Sequence, residues 1–164
     1  MIIGGNGCGK TTFAQKLSDR LNLPLVHLDT LYWTDGWKPV ADEIFDEQLL
    51  CELIKPVWMI EGNIARTIPL RLQYCDTVIY MDFPRIRCLW GVIQRVLKNY
   101  GESRFDMGGY CPEKLDMQKL KFFLSVWASH KKKRRHFYAM LDSVNCQVII
   151  LKNRRQTRQF LQNL

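Results

Sequence analysis

Apolar residues follow two alternating arrangements along this chain. Short hydrophobic runs recur at Met1-Ile2-Ile3, Leu25-Val26-His27-Leu28, Val57-Trp58-Met59-Ile60, Thr77 to Met81 and Cys146 to Leu151. Runs of this length and continuity predict strands buried on both faces. Between them the apolar positions fall three and four apart, as on one side of a helix. Thr11 to Leu21 places Phe13, Ala14, Leu17 and Leu21 near one face and stops at Asn22 and Pro24. Residues 42–54 do the same with Ile44, Phe45, Leu49, Leu53 and Ile54, up to Pro56. Residues 85–99 and 114–141 predict two further helices, the second anchored by Phe122, Phe123, Val126, Trp127, Phe137 and Leu141; a short helix from about Gln156 closes the chain. Two loops stand out. Leu31 to Trp37 is rich in aromatics, and Gly101 to Pro112 holds Gly101, Gly108 and Gly109 and is expected to be mobile. Strands alternating with helices predict an α/β fold with a parallel sheet.

The junction between the first strand and the first helix carries the strongest chemistry. Gly4-Gly5-Asn6-Gly7-Cys8-Gly9-Lys10-Thr11 fits G-x-x-x-x-G-K-[ST] in full. Glycines let backbone N–H groups turn inward around a phosphate, and the helix N-terminus adds unpaired N–H groups and its dipole at the same place. The pattern predicts a nucleoside triphosphate, taken to be ATP, bound by Gly5, Asn6, Gly7, Cys8, Gly9, Lys10, Thr11 and Thr12. Lys10 is expected to reach the β- and γ-phosphates, and the Thr11 hydroxyl to ligate Mg²⁺.

The predicted strands end at Gly4, Asp29, Glu61 and Asp82, which would open onto one edge of the sheet. Ligands bind at that edge in open α/β sheets. Mg²⁺ takes help from a carboxylate there, and Glu61 and Asp82 both qualify. Asp29 lies where an acceptor would enter and can orient a hydroxyl and take its proton; a turn residue is the plainer reading. Trp33 and Trp37 either stack on a planar base and line a sugar pocket, or close an edge of the core. Arg95, with Lys98 three residues on, leads into the glycine-rich loop that carries Arg104. Arginines on a closing loop can stabilise the transferring phosphoryl group.

Bulk properties narrow the picture. At 164 residues and 47% hydrophobic, the chain fits one domain with an ordinary core. No apolar run approaches the roughly 18 residues of a membrane span. A first strand at the very start leaves no room for a signal peptide, so a cytoplasmic location is expected. The six cysteines form no C-x-x-C pair, in keeping with a reducing compartment. Cys8, beside Lys10 and a helix N-terminus, differs from the others in a setting that can favour a thiolate, although a passive loop residue is the plainer reading. The net charge of +8 suits a polyphosphate in a basic cleft or a nucleic-acid backbone. The run His130 to His136 spreads around a helix, which predicts a solvated surface with one or two cations turned to the phosphates; DNA contact is the alternative.

The segments GGNGCGKTT, HLDTLYWTDGW, WMIEGNIARTIPLR, DTVIYMDFPR, SRFDMGGYCPE and VIILKNRRQTRQFL, in this order, resemble the FlaR-type DNA topology modulation proteins. These are a branch of the adenylate-kinase-like P-loop kinases, and the resemblance runs over essentially the whole chain. It implies a three-layer P-loop NTPase fold in one domain, with a five-stranded parallel sheet in the order 2-3-1-4-5 and a small helical lid over about residues 101–115. It implies transfer of the ATP γ-phosphoryl group, with Mg²⁺, to a nucleotide, a nucleoside or another hydroxyl compound. On this basis Asp29 and Arg71 position the acceptor, Arg95 and Arg104 act on the transition state, and Lys152-Asn153-Arg154 lies against the adenine ring. Two positions depart from the pattern. Glu61 stands where relatives more often carry Asp, and Gly91 where they tend to carry an arginine. A regulator that binds nucleic acid and uses ATP as a switch is the competing reading, and a degenerate kinase that binds nucleotide without transfer is a third.

Overall fold

A computed structural model describes residues 1–164. In chain order the elements are β1 (Ile2–Gly4), α1 (Lys10–Leu21), β2 (Leu25–His27), α2 (Leu28–Tyr32), β3 (Trp33–Thr34), β4 (Lys38–Pro39), α3 (Asp42–Leu53) and β5 (Met59–Glu61). A short 3₁₀ turn (Ala65–Thr67) then leads into α4 (Ile68–Tyr74), β6 (Thr77–Met81), α5 (Arg85–Lys98), α6 (Met117–Leu141), β7 (Gln147–Leu151) and α7 (Arg154–Gln162). The main sheet has five strands in the order β2-β5-β1-β6-β7, paired in parallel throughout. With the small antiparallel β3–β4 hairpin set aside, this is the expected order 2-3-1-4-5.

β1 lies in the middle and is covered on both faces. Successive strand residues point to opposite sides. Ile2 accordingly packs with Phe13, Ala14 and Leu17 of α1 and Leu161 of α7. Ile3 packs on the other side with Ile68 of α4 and Phe137 and Leu141 of α6. Each such fully buried side chain contributes about 1.5–3 kcal/mol from removal of apolar surface from water. A third cluster joins Leu28 of α2, Phe45, Leu49 and Leu53 of α3 and Ile60 of β5, while Val92 and Val96 hold α5 to Val126 of α6.

Several boundaries differ from the sequence expectation. β2 stops at His27, where the Thr30 hydroxyl donates to the His27 carbonyl at 2.7 Å and turns the chain into α2. Asp29 therefore sits in the first turn of a short helix rather than at a strand end. The aromatic loop folds into the β3–β4 hairpin. Val57 and Trp58 precede β5 instead of joining it. α4 had no sequence counterpart; it starts with proline in its first turn, a position that needs no backbone donor. α6 begins later than expected, where the Asp116 carboxylate caps the Lys119 N–H at 2.7 Å.

Candidate active site

The phosphate loop is built by glycine geometry. Gly7 and Gly9 have φ of 79° and 95°, a left-handed backbone that side chains rarely adopt. α1 starts directly after Gly9 with no side-chain cap, so its first N–H groups are free to face the loop's concavity. The Lys10 ammonium bridges the loop, donating to the Gly4 and Gly5 carbonyls at 3.2 Å each. The Asn63 side chain clamps Gly4 from the next strand end, accepting from its N–H at 3.1 Å and donating to its carbonyl.

Beside this loop opens a cleft of about 630 Å³. Asn6, Gly7, Gly9, Lys10, Thr11 and Thr12 form its floor. One wall carries Asp29, Tyr32, Trp33 and the segment Glu61 to Ala65. The facing wall carries Arg95 and Lys98 of α5, Asn99 just after it, and Lys133, His136 and Phe137 of α6. Arg104, Phe105 and Asp106 close the rim.

A polar network connects floor and rim. The Thr11 hydroxyl lies 3.0 Å from Glu61 Oε1 and 3.1 Å from Asp106 Oδ2. Glu61 Oε1 also meets His27 Nδ1 at 2.9 Å. Burial alone would raise the Glu61 carboxyl, but the His27 hydrogen bond, the Lys10 charge and the Thr11 hydroxyl together hold it below its ordinary value. Arg104 Nη1 donates to Asp106 Oδ2 at 2.8 Å, and its other nitrogens lie 3.8 Å from Asp29 and 3.6 Å from Glu113. Glu113, fully buried, also lies 3.3 Å from Arg95 Nε and accepts from Lys119 at 2.6 Å. Burial and the neighbouring Arg104 charge lower the Arg95 guanidinium. The Asp29 side chain is 40% exposed on the cleft wall, and desolvation there raises its carboxyl above the ordinary value despite Arg104.

The glycine-rich loop expected to be mobile is tied at many points. Gly101 N–H donates to the Glu113 carbonyl at 2.8 Å, closing its neck. Gly36 N–H donates to the Tyr110 carbonyl at 2.9 Å, Tyr110 N–H to Asp35 Oδ1 at 2.6 Å, and Trp37 Nε1–H to the Pro112 carbonyl at 3.1 Å. Gly108 packs so closely that an added β-carbon would stand 2.2 Å from the Thr30 carbonyl oxygen.

Solved structures with this architecture were found. A shikimate kinase from Bacteroides thetaiotaomicron superimposes with a TM-score of 0.52 at 17% identity, covering 99% of this chain and 92% of that one. A candidate kinase from Chloroflexus aurantiacus gives 0.55 at 14% identity, with 98% and 94% covered. A sugar kinase from Janibacter sp. gives 0.51 at 15% identity, with 99% and 88% covered. The chain has the P-loop kinase fold. None of the three is described as a DNA topology modulation protein. No model of a known protein family matches the chain, and no curated protein sequence matches it.

Within this P-loop kinase fold, the cleft gathers Lys10, Thr11, Asp29, Trp33, Glu61, Arg95 and Arg104, all singled out in the sequence. Other expectations need correction. Asp82 does not line the cleft. Arg134 grips its carboxylate at 2.8 and 2.9 Å and the Tyr138 hydroxyl donates at 2.7 Å, because α6 crosses the end of β6 there. Arg71 is fully buried, turned inward by α4 to donate to the Gly62 and Ile64 carbonyls at 3.1 and 3.3 Å, and cannot touch an acceptor. Trp37 packs edge-on to Trp33, with centroids 5.7 Å apart, and braces the loop instead of the cleft. Asn153 caps α7 by accepting from Gln156 N–H at 2.9 Å, and neither it nor Arg154 lines the cleft. Cys8 is buried, which pushes its thiol above the ordinary value against the pull of Lys10; this favours the passive loop residue over the thiolate. The basic run divides as well. Arg134 is tied to Asp82, Lys133 and His136 face the cleft, and Lys131, Lys132 and Arg135 are exposed.

The sequence reading missed Asp106, Glu113, His27 and Asn63. The two acids flank the glycines of the segment that carries Arg104, and their proximity to that arginine was the available signal. His27 and Asn63 had none beyond their place beside strand ends.

The residues present fit Mg²⁺ held together with phosphates. Asp106 Oδ1 is buried without a hydrogen-bond partner, and Glu61, Asp106 and the Thr11 hydroxyl converge on one place. No group of three or more His, Cys, Asp or Glu side chains is gathered to hold a metal by protein alone. Mg²⁺ suits such a site, since it keeps several waters and takes phosphate oxygens beside one or two carboxylates.

Proposed function

We propose that this chain is an ATP-dependent phosphotransferase of the adenylate-kinase-like class, moving the γ-phosphoryl group to a hydroxyl-bearing small molecule: a nucleotide, a nucleoside or another hydroxyl compound. One observation carries the reading. A single cleft sets Lys10 and Thr11 on its floor against Asp29 and Arg104 above them.

The roles follow from position. The loop N–H groups and the start of α1 receive the phosphates. Lys10 leaves the Gly4 and Gly5 carbonyls for phosphate oxygens, so the loop carries its own cation before a ligand arrives. Thr11 and Glu61 would hold Mg²⁺, which when bound would offset the charge of the phosphates. Asp29 orients the acceptor hydroxyl and takes its proton, and its raised pKa makes it a stronger base while ionised. Arg104 and Arg95 supply positive charge opposite the negative charge that develops on the transferring group. Residues 101–115 act as the lid that keeps water from the cleft. Fold likeness to kinases supports the class of chemistry and not an acceptor.

The test is ADP release from ATP and Mg²⁺ against a panel of nucleoside monophosphates, nucleosides, sugars, polyols and DNA. The expected result is one small acceptor that stimulates wild type and not Lys10→Ala. Retained turnover in Lys10→Ala would overturn the proposal. Stimulation by DNA alone would instead support the nucleic-acid regulator, whose remaining surface is the exposed Lys131, Lys132 and Arg135.

A further inference from the structure

The rim carboxylate Asp106 has no role in the reading above, yet its placement is unusual. It is 2% exposed. It lies on a loop 95 residues away in sequence from Thr11, whose hydroxyl it meets at 3.1 Å. Its Oδ2 is doubly engaged, by Thr11 and by Arg104 at 2.8 Å. Its Oδ1 is buried and has no partner at all. A buried carboxylate oxygen without a partner carries an uncompensated desolvation cost, larger when charged, so its presence calls for a partner that arrives later. The same threonine hydroxyl meets Glu61, placing two carboxylates on one oxygen. Two anions converging on a hydroxyl repel each other unless a cation joins them.

We propose that Asp106 is a third protein group of the divalent-cation site, supplied by the rim loop that docks onto Thr11. The inference rests on the phosphotransferase reading, since the site needs phosphate oxygens to complete the cation's shell. Asp106 is the one group of the site borne by the rim. With Thr11 and Glu61 on the floor it would hold the cation, and Arg104 fixes the carboxylate from the other side. Glu61 alone, hydrogen-bonded to His27, is thereby relieved of serving as the only carboxylate.

The competing account makes Asp106 a latch that only hydrogen-bonds Thr11. Asp106→Asn separates the two. The amide oxygen still accepts from Thr11 and from Arg104, so a latch survives, while the charge a divalent cation needs is gone. Mn²⁺ would be titrated into wild type and Asp106→Asn, each saturated with a non-hydrolysable ATP analogue, and free Mn²⁺ followed by electron paramagnetic resonance. Analogue affinity in EDTA and thermal unfolding would run alongside to show that the variant is folded. The expected result is a roughly 10- to 100-fold weaker Mn²⁺ affinity in the variant, the range seen when groups that support a metal are removed, with metal-free analogue affinity within about twofold. Equal Mn²⁺ affinity in the two proteins would overturn the inference and leave the kinase reading standing. Failure of wild type to bind the analogue with or without metal would overturn both. If Asp106→Asn unfolds, Asp106→Glu serves instead: a cation ligand should retain most Mn²⁺ binding with the longer carboxylate, and a loss as deep as that of an EDTA-treated control would count against the inference.

Discussion

Gly91 of α5 rests against the phosphate loop at Gly7, so closely that an added β-carbon would stand 2.0 Å from the Gly7 carbonyl oxygen. Gly7 is pinned in return, since its own β-carbon would meet the Cys88 carbonyl at 2.2 Å. At this spacing no side chain fits at position 91, because the helix lies directly on the loop. Gly91→Ala tests this. Helix propensity favours alanine by about 1 kcal/mol, whereas overpacking against backbone costs about 1–3 kcal/mol. The clash should prevail, giving lower stability and a nucleotide Kd raised at least tenfold, measured by calorimetry.

Asp29 should separate activity from stability. Its folded-state pKa is raised by desolvation. Above the ordinary aspartate pKa of about 3.9 the unfolded chain ionises more readily than the folded one, so the charged carboxylate detracts from stability there. Asp29→Asn is expected to unfold at a denaturant midpoint no lower than that of wild type. Its turnover should nonetheless fall by about 10²–10⁴, the range for a positioned base. Wild-type kcat/KM, which reports the free protein, should decline on acidification with an inflection above the ordinary aspartate value.

Arg71→Met should behave in the opposite manner. The guanidinium is buried without an ion-pair partner, and burial lowers its pKa to about 10. Methionine fills part of the space but orphans the Gly62 and Ile64 carbonyls. A loss of about 2–4 kcal/mol in urea unfolding is expected, two hydrogen bonds from a charged donor being removed. Nucleotide affinity of the folded variant should stay within about threefold.

Acid should release the Asp82–Arg134 contact. Burial opposes ionisation of Asp82, but the hydrogen bonds from Arg134 and Tyr138 outweigh it and depress the carboxyl pKa. A depressed carboxylate contributes its full stability above the unfolded pKa of about 3.9 and loses it as pH falls through the lower folded value. With Arg134 half exposed, solvent screening keeps the contribution to about 1 kcal/mol. Unfolding measured between pH 6 and pH 2 should show a shallower acid loss in Arg134→Leu than in wild type.

Much of this architecture was legible in the residues. The five apolar runs became the five parallel strands because a strand covered on both faces must be apolar throughout. The phosphate loop was legible because its chemistry is local: glycines, a lysine and a threonine act within one turn of each other. Arg71 and Asp82 were misplaced for the converse reason. What an arginine or an aspartate does depends on its neighbours, and here these are the carbonyls of 62 and 64 and a helix starting 35 residues further on from Asp82. The periodicity of α6 could not say that its twenty-five residues would turn Arg134 onto β6 and Lys133 into the cleft. Asp106 and Glu113 escaped because loop residues carry no period from which burial can be inferred.

The ties between the glycine-rich loop and the β3–β4 hairpin bear on how this protein can change. Gly36, Trp37 and Asp35 on one side and Tyr110 and Pro112 on the other satisfy one another's backbone and side-chain groups. The two segments meet beside the cleft from sequence positions 75 residues apart. Exchanging either alone for that of a protein with the same fold would strand the polar groups of the one left behind. A change in what the cleft accommodates is therefore expected to come from paired exchange of both segments, inherited as a single jaw, while single-segment chimeras lose order first.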